Sequence, residues 1–180
     1  MDRRIKKSKK ALKRALFELI VKKEYSKITV SELCELADVN RSTFYSNYED
    51  MDTLISDIHR DFFDEMIKKY TTENLEGLSD LQIHQKAISG MIEYVEQNRK
   101  LAKILFSHGD RRLLEKNMFT YFKERYYSKR PDILEVYPFT YHTMAFISLL
   151  NTWINDDFPC SADQFSKIIY EHSATLWNIP

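Results

Sequence analysis

Between Ile28 and Tyr48 the chain sets hydrogen-bonding side chains on what would be one helix face: Arg41, Ser42, Thr43, Tyr45 and Ser46, none of them acidic. Groups of this kind can grip phosphate oxygens and touch base edges. A helix entering the major groove of duplex DNA needs them without carboxylates, which phosphates would repel. Arg41 suits guanine or a phosphate, Ser42 and Ser46 suit base edges, and Thr43 and Tyr45 suit the sugar-phosphate backbone. Free amides at the helix starts near Thr29 and Asn40 would add phosphate donors. Spacing alone leaves open a plain helical hairpin whose polar face meets water.

Such a face must be held by two short helices that cross steeply over a tight turn. Val30, Leu33, Cys34 and Ala37 recur at i, i+3, i+4 and i+7, with Thr29 placed as N-cap. Asn40 is placed to cap a third helix starting at Arg41. Leu33, Ala37, Val39, Phe44 and Tyr48 would supply the apolar inner faces. The turn between them favours a left-handed residue, and Asp38 is among the few besides glycine that tolerate it. Ahead of the hairpin, Leu12, Ala15, Leu16, Leu19 and Ile20 mark an amphipathic helix over Lys9–Val21, with Lys9, Lys10, Lys13 and Arg14 on its other side.

The formal net charge of zero over 180 residues hides an asymmetry. Residues 1–27 carry eleven Lys and Arg against three acids, a net of +8, and residues 51–180 carry 15 against 19, a net of −4. A basic head on an acidic body points to a polyanion partner for the head, although a solubilising tail would read the same way. The two cysteines, Cys34 and Cys160, lie far apart and outside any ligand spacing, so neither a disulfide nor a metal site is expected. No apolar run has membrane-spanning length, and Met1–Lys10 lacks the core of a signal peptide, which makes a cytoplasmic location the expectation.

The three glycines are few, and all four prolines come after residue 130, so the chain can be helical almost throughout. Asp50 is placed to cap a long helix with Leu54, Ile55, Ile58, Phe62 and Met66 on one face, and Thr71–Asp80 reads as a linker. Further helices follow around Leu81–Val95, Leu101–Phe106 and Leu113–Tyr126, with Asp110 as a cap and Arg130-Pro131 as a stop. Phe139–Ile154 is apolar on nearly every side, which requires burial all round, in its own fold or against a partner. Ser161 and Gln164 fit a capping box for a last helix carrying Phe165, Ile168, Ile169, His172 and Leu176. The class is all-α with about nine helices, dividing into 1–50 and 51–180.

Residues 28–54, ITVSELCELADVNRSTFYSNYEDMDTL, resemble the DNA-binding region of the TetR family of transcriptional regulators. The shared elements are Ile28-Thr29-Val30, Leu36-Ala37, Val39-Asn40-Arg41, Thr43-Phe44-Tyr45, Tyr48 and Leu54, about a quarter of the chain with the basic first helix. The resemblance implies a three-helix DNA-binding domain followed by a helical ligand-binding and dimerisation domain. Arg41 to Asn47 would be the recognition helix, and Thr29, Thr43, Tyr45 and Tyr48 would serve phosphates, as would Lys9 of the first helix. Two positions depart from the family pattern: Asp38 stands where glycine is frequent, and Met51 where a phosphate-binding lysine is frequent. Loss of one such contact lowers the salt slope of binding by about one unit.

The resemblance further implies a homodimer built from the last two helices, with Phe146, Leu150, Trp153, Phe165, Ile169 and His172 at the interface. A two-fold dimer presents recognition helices about 34–36 Å apart to a palindromic operator. It also implies an inducer cavity, for which Tyr94, Phe106, Phe122, Tyr126, His142 and Phe146 are candidates, with no ligand class specified and with packed core as the alternative. The expected function is a repressor released from DNA by a small molecule. The alternative is a DNA-binding regulator without an inducer, controlled by a protein partner. A helical enzyme or carrier is remote, since no catalytic triad, glycine-rich phosphate loop or metal constellation is present, and no cofactor is expected.

Overall fold

The computed structural model describes residues 3–71, 77–108, 111–124 and 133–177. These contain nine α-helices and no strand: α1 Arg3–Ile20, α2 Val30–Ala37, α3 Arg41–Asn47, α4 Met51–Thr71, α5 Asp80–Gln97, α6 Arg99–Lys103, α7 Arg111–Phe122, α8 Ile133–Asn155 and α9 Ala162–Trp177. A 3₁₀ turn at Tyr25–Lys27 precedes α2, and a π-helical turn at Ile104–His108 extends α6. The all-α class read from the sequence agrees. Asp110, Tyr126, Arg130 and Pro131 lie outside the described residues, as does the side chain of His172.

The helices gather into two compact units. The first comprises Met1–Asp61 with Lys103–Asn117, and the second Phe62–Ala102 with Met118–Pro180. In the first, α1 packs on α2 and α3, and α2 on α3. All five apolar residues read as the inner stripe of α1, Leu12, Ala15, Leu16, Leu19 and Ile20, are buried there, with Ile28, Leu33, Phe44 and Tyr48. The helix starts at Arg3, before the first residue of that stripe, because Arg, Lys and Ser need no apolar partner to continue a helical turn. The first half of α4 adds Leu54, Ile55 and Ile58.

In the second unit α5 packs along α9. Phe62, Phe63, Met66 and Ile67 of α4 are buried with Ile88, Ile92 and Val95 of α5 and Ile147, Leu150, Trp153 and Ile154 of α8. Ser79 and Gln82 form a capping box that starts α5, a signal hidden in a stretch whose polarity reads as linker. The box at Ser161 and Gln164 forms as expected, with Ser161 N–H donating to Gln164 Oε1 at 3.0 Å. Helix α8 begins well before the expected Phe139 and carries Pro138 inside it. Proline removes one amide donor there, and the helix continues on both sides of it.

The α8–α9 turn is tightly built. Asp157 and Phe158 both have left-handed backbone, with φ of 63° and 58°. Phe158 N–H donates to Trp153 O at 2.8 Å, and the Phe158 ring meets Trp153 edge-on at 4.7 Å while Trp153 stacks on Phe165 at 4.6 Å. The cost of two non-glycine residues in this conformation, of order 1–3 kcal/mol each, is offset by burying that ring.

Candidate nucleic-acid interface

The hairpin follows from its caps. Thr29 is extended (φ −102°, ψ 151°), and its hydroxyl accepts from Glu32 N–H at 3.3 Å, so α2 starts at Val30. It ends at Asp38, which takes the left-handed conformation expected of it (φ 52°, ψ 48°) and donates its amide to Glu35 O at 3.2 Å. Asn40 stands in the N-cap position of α3, but its side chain makes no capping hydrogen bond. Asp50 caps α4, its Oδ1 accepting from Thr53 N–H at 2.7 Å and Thr53 Oγ1 at 2.8 Å. Those bonds hold its carboxyl below the usual range.

Phe44 has no exposed surface and fastens α3 to α1 and α2, which leaves the other side of α3 to solvent. Arg41, Ser42, Tyr45 and Ser46 all lie on that exposed side, with Tyr45 52 % exposed and its ring edge-on to Phe44 at 5.3 Å. Thr43 and Asn47 are half-buried. Ser46 Oγ donates to Ser42 O at 2.8 Å and Asn47 Nδ2 to Thr43 O at 2.7 Å, so both side chains fold back along the helix. A solvent-facing row of donors on a helix with a locked apolar back is what docking in a groove requires.

Two of the expected contacts are placed elsewhere. Tyr48 is only 3 % exposed, and its hydroxyl donates to Asp57 Oδ2 at 2.7 Å, so this ring closes the hairpin from inside rather than meeting phosphate. Burial first, then the Asp57 bond, push the phenol far above its ordinary value and keep it a donor. Lys9 is half-buried, 3.5 Å from Asp57 Oδ2 and 4.8 Å from the centre of the Tyr48 ring. Burial works against the Asp57 charge, yet Tyr48, Lys13 and Lys9 together hold its carboxyl below the ordinary range. Sequence periodicity gives no sign of Asp57, because the partner it selects comes from a different helix.

The electrostatics rest on α1. Within residues 28–50 Arg41 is the sole Lys or Arg, against Glu32, Glu35, Asp38, Glu49 and Asp50. Glu32 is taken up by Lys23. Attraction to a polyanion must therefore come from the helix beside the hairpin. A cleft between α1 and α2 is lined by Lys7, Lys10, Arg14, Glu18, Leu36 and Ala37. Glu18 pairs with Arg14 there, and Lys7 and Lys10, without ion-pair partners among the described residues, bring their charge next to the end of α2.

Of the remaining described candidates, Phe106 belongs to the first unit and the others to the second. Tyr94 is half-buried with its ring 5.3 Å from Phe62, Phe106 and Phe122 are buried, and Phe122 meets the half-buried Phe146 edge-on at 6.2 Å. His142 is half-buried, and burial lowers its pKa. Leu150, Trp153, Phe165 and Ile169 are enclosed within their own chain, so the surface that α8 and α9 leave open is a different set: Tyr137, Tyr141, Met144, Leu149 and Ile168. Among the described residues no group of three or more His, Cys, Asp or Glu is placed to hold a metal, and no helix is long and apolar enough to cross a membrane.

An all-helical chain with an N-terminal helix-turn-helix and a larger helical body defines the class of helix-turn-helix transcriptional regulators. Residues 82–173 match the family TetR_C_8, a transcriptional regulator C-terminal region, and the chain belongs to the TetR family of transcriptional regulators. It is 22 % identical over 165 residues to the HTH-type transcriptional regulator YxbF of Bacillus subtilis (strain 168), with 89 % of this chain and 43 % of that protein aligned. The chain thus spans less than half the length of this relative. A TetR transcriptional regulator from Streptococcus agalactiae 2603V superposes with a TM-score of 0.69 at 25 % identity, over 95 % of this chain and 96 % of that one. The dihydroxyacetone kinase operon activator DhaS superposes with a TM-score of 0.57 at 18 % identity, over 94 % and 95 %. Regulators of this family bind DNA and form dimers.

Proposed function

We propose that the chain is a DNA-binding repressor that grips a palindromic operator as a homodimer and lets go when a small molecule binds its helical body. The observation that carries the DNA reading is the outward side of α3: Arg41, Ser42, Tyr45 and Ser46 are exposed together, with no acid among them. In this reading Arg41 contacts a guanine edge or a phosphate, Ser42 and Ser46 touch bases, Tyr45 and Thr43 hold the backbone, and Thr29 adds a phosphate contact at the start of α2. Asn47 supports the end of α3 through its bond to Thr43. Tyr48 and Lys9 position the helix.

The division of labour assigns DNA to residues 1–50 and regulation with dimerisation to 51–180. Support for the dimer comes from Tyr137, Tyr141, Met144 and Leu149 of α8 and Ile168 of α9, large apolar side chains left 40–70 % exposed. Support for an inducer is the aromatic pair of Phe122 and Phe146, with the half-buried His142 one turn before Phe146 on α8. The sign of control is the finer part of the proposal, since the same fold is found in a protein described as an operon activator.

Selection of bound sequences from random duplex DNA, at stated salt, tests the reading. A palindromic site is expected, and recovery of nothing above non-specific DNA overturns it. Arg41→Ala should relax preference at one base position per half-site, costing about 1–3 kcal/mol there. A reporter fused to the selected site gives the sign of control, and a thermal-shift panel of metabolites tests release by a small molecule.

A further inference from the structure

The lysines of α1 fall into two sets. Lys6, Lys7 and Lys10 are exposed and have no ion-pair partner among the described residues. Lys9 and Lys13 are half-buried and turned to α4. There, Asp57 Oδ2 accepts from Tyr48 Oη at 2.7 Å and forms ion pairs with Lys13 Nζ at 3.0 Å and Lys9 Nζ at 3.5 Å. Lys13 also reaches Asp61 Oδ2 at 2.6 Å and the Asp57 carbonyl at 3.3 Å. One carboxylate thus joins the residue that closes α3 to two lysines of α1, and a second shares one of those lysines.

We infer that Asp57 is a specificity-determining residue for DNA: it anchors the end of the recognition helix through Tyr48 and withholds Lys9 and Lys13 from indiscriminate phosphate contact. This rests on the DNA-binding reading above. Non-specific affinity is almost wholly phosphate neutralisation, at about 0.9 of a unit of salt slope per phosphate neutralised on duplex DNA. Specific affinity needs in addition a recognition helix held in one orientation. A lysine spent on an internal carboxylate adds little to the first quantity, and the same carboxylate fixes the second. With only Arg41 basic in residues 28–50, the share of α1 cations kept back largely sets the balance between the two.

The test measures the salt dependence of the Kd of the full chain for a selected duplex and for one of random sequence. Asp57→Asn keeps size but gives Tyr48 a weaker, uncharged acceptor and releases Lys9, while Lys13 keeps Asp61 and the Asp57 carbonyl. It should steepen the random-duplex slope by about one unit. It should also tighten random-duplex binding, weaken the selected duplex and lower their ratio about tenfold or more. Asp61→Asn, at a side chain 62 % exposed and so harmless to the fold, should steepen the slope by up to about one unit. Tyr48→Phe should weaken the selected duplex and leave the slope unchanged. If Asp57→Asn does not fold, Asp61→Asn and Tyr48→Phe carry the decision. A slope unmoved by the folded Asp variants, with wild type still choosing one sequence, overturns this inference alone. A wild type that chooses no sequence overturns the DNA reading beneath it.

Discussion

On its outer side α3 shows Arg41, Ser42, Tyr45 and Ser46, whereas α8 shows Tyr137, Tyr141, Met144 and Leu149. Both helices bury an apolar back, α3 through Phe44 and α8 through Ile147, Leu150, Trp153 and Ile154. They differ in what water does to the remainder. The α3 row faces solvent in the free protein, so binding there exchanges one set of hydrogen bonds for another, and its product is orientation and sequence preference. The α8 row gains about 25 cal/mol for each Å² covered, which gives association without direction. Polar rows select partners; apolar rows hold them.

The strongest way to break the comparison is to remove the apolar back of α3. Phe44→Ala empties a site with no exposed surface and should cost about 3–5 kcal/mol, seen as a lowered unfolding midpoint in urea. Duplex binding should vanish with it although no outward residue has changed. Retained binding would mean that the polar row does not depend on its support.

Acid should weaken the α3-bearing unit next. His59 is 1 % exposed in the first half of α4, 3.0 Å from Asn117 Nδ2, and burial lowers its pKa from 6.5 to about 4. The unfolded chain therefore binds a proton that the folded chain refuses between pH 6.5 and about 4. Stability is undiminished above 6.5, falls as pH drops through that window, and has lost about 3 kcal/mol at its lower end. Asp50 and Asp57, both lowered, add their losses below their unfolded value of 3.8, outside most of that window. Urea titrations at stepped pH read the slope directly, and His59→Gln should flatten it between 6.5 and 4. A wild-type slope already flat there would sink the argument.

Much of this was legible in the residues. Thr29, Asp38, Asp50 and Ser161 announced turns and caps because few side chains can do what those positions need, and the inner stripe of α1 was correct at every position. Tyr48 was legible only as an aromatic residue in a motif. Whether its hydroxyl meets phosphate or carboxylate is decided by Asp57, which belongs to α4 and leaves no trace in local periodicity. Helix α8 failed for the opposite reason: apolar on every side, it gives no register, so Leu150 and Trp153 were as eligible for an interface as Met144 and Leu149. Only packing within the chain, with Trp153 stacked on Phe165, separates the enclosed set from the open one.

That separation has its own test. Met144→Glu places a carboxylate on the open side of α8, where it meets water in a single chain and would meet apolar surface in the proposed dimer. The dimer should loosen by about thirtyfold, roughly 2 kcal/mol, in sedimentation, with helical content unchanged. The same charge at Leu150, enclosed in its own chain, should instead unfold it. Equal outcomes at the two positions would erase the distinction between them.

The smallest effect expected is at Tyr45, and it bears most directly on the polar row. The side chain is 52 % exposed and meets the Phe44 ring edge-on, so Tyr45→Ala should leave thermal unfolding within about 0.5 kcal/mol of wild type. Affinity should fall about tenfold, and by the same factor for selected and random duplexes, because a backbone contact carries no sequence information. Arg41→Ala differs in kind if Arg41 reads a base, since its loss then depends on the sequence offered. A Tyr45→Ala loss confined to the selected duplex would move this ring from holding to reading. Donors on one exposed helix face would then all serve selection, and the grip on phosphate would be left to Thr29, Thr43 and α1.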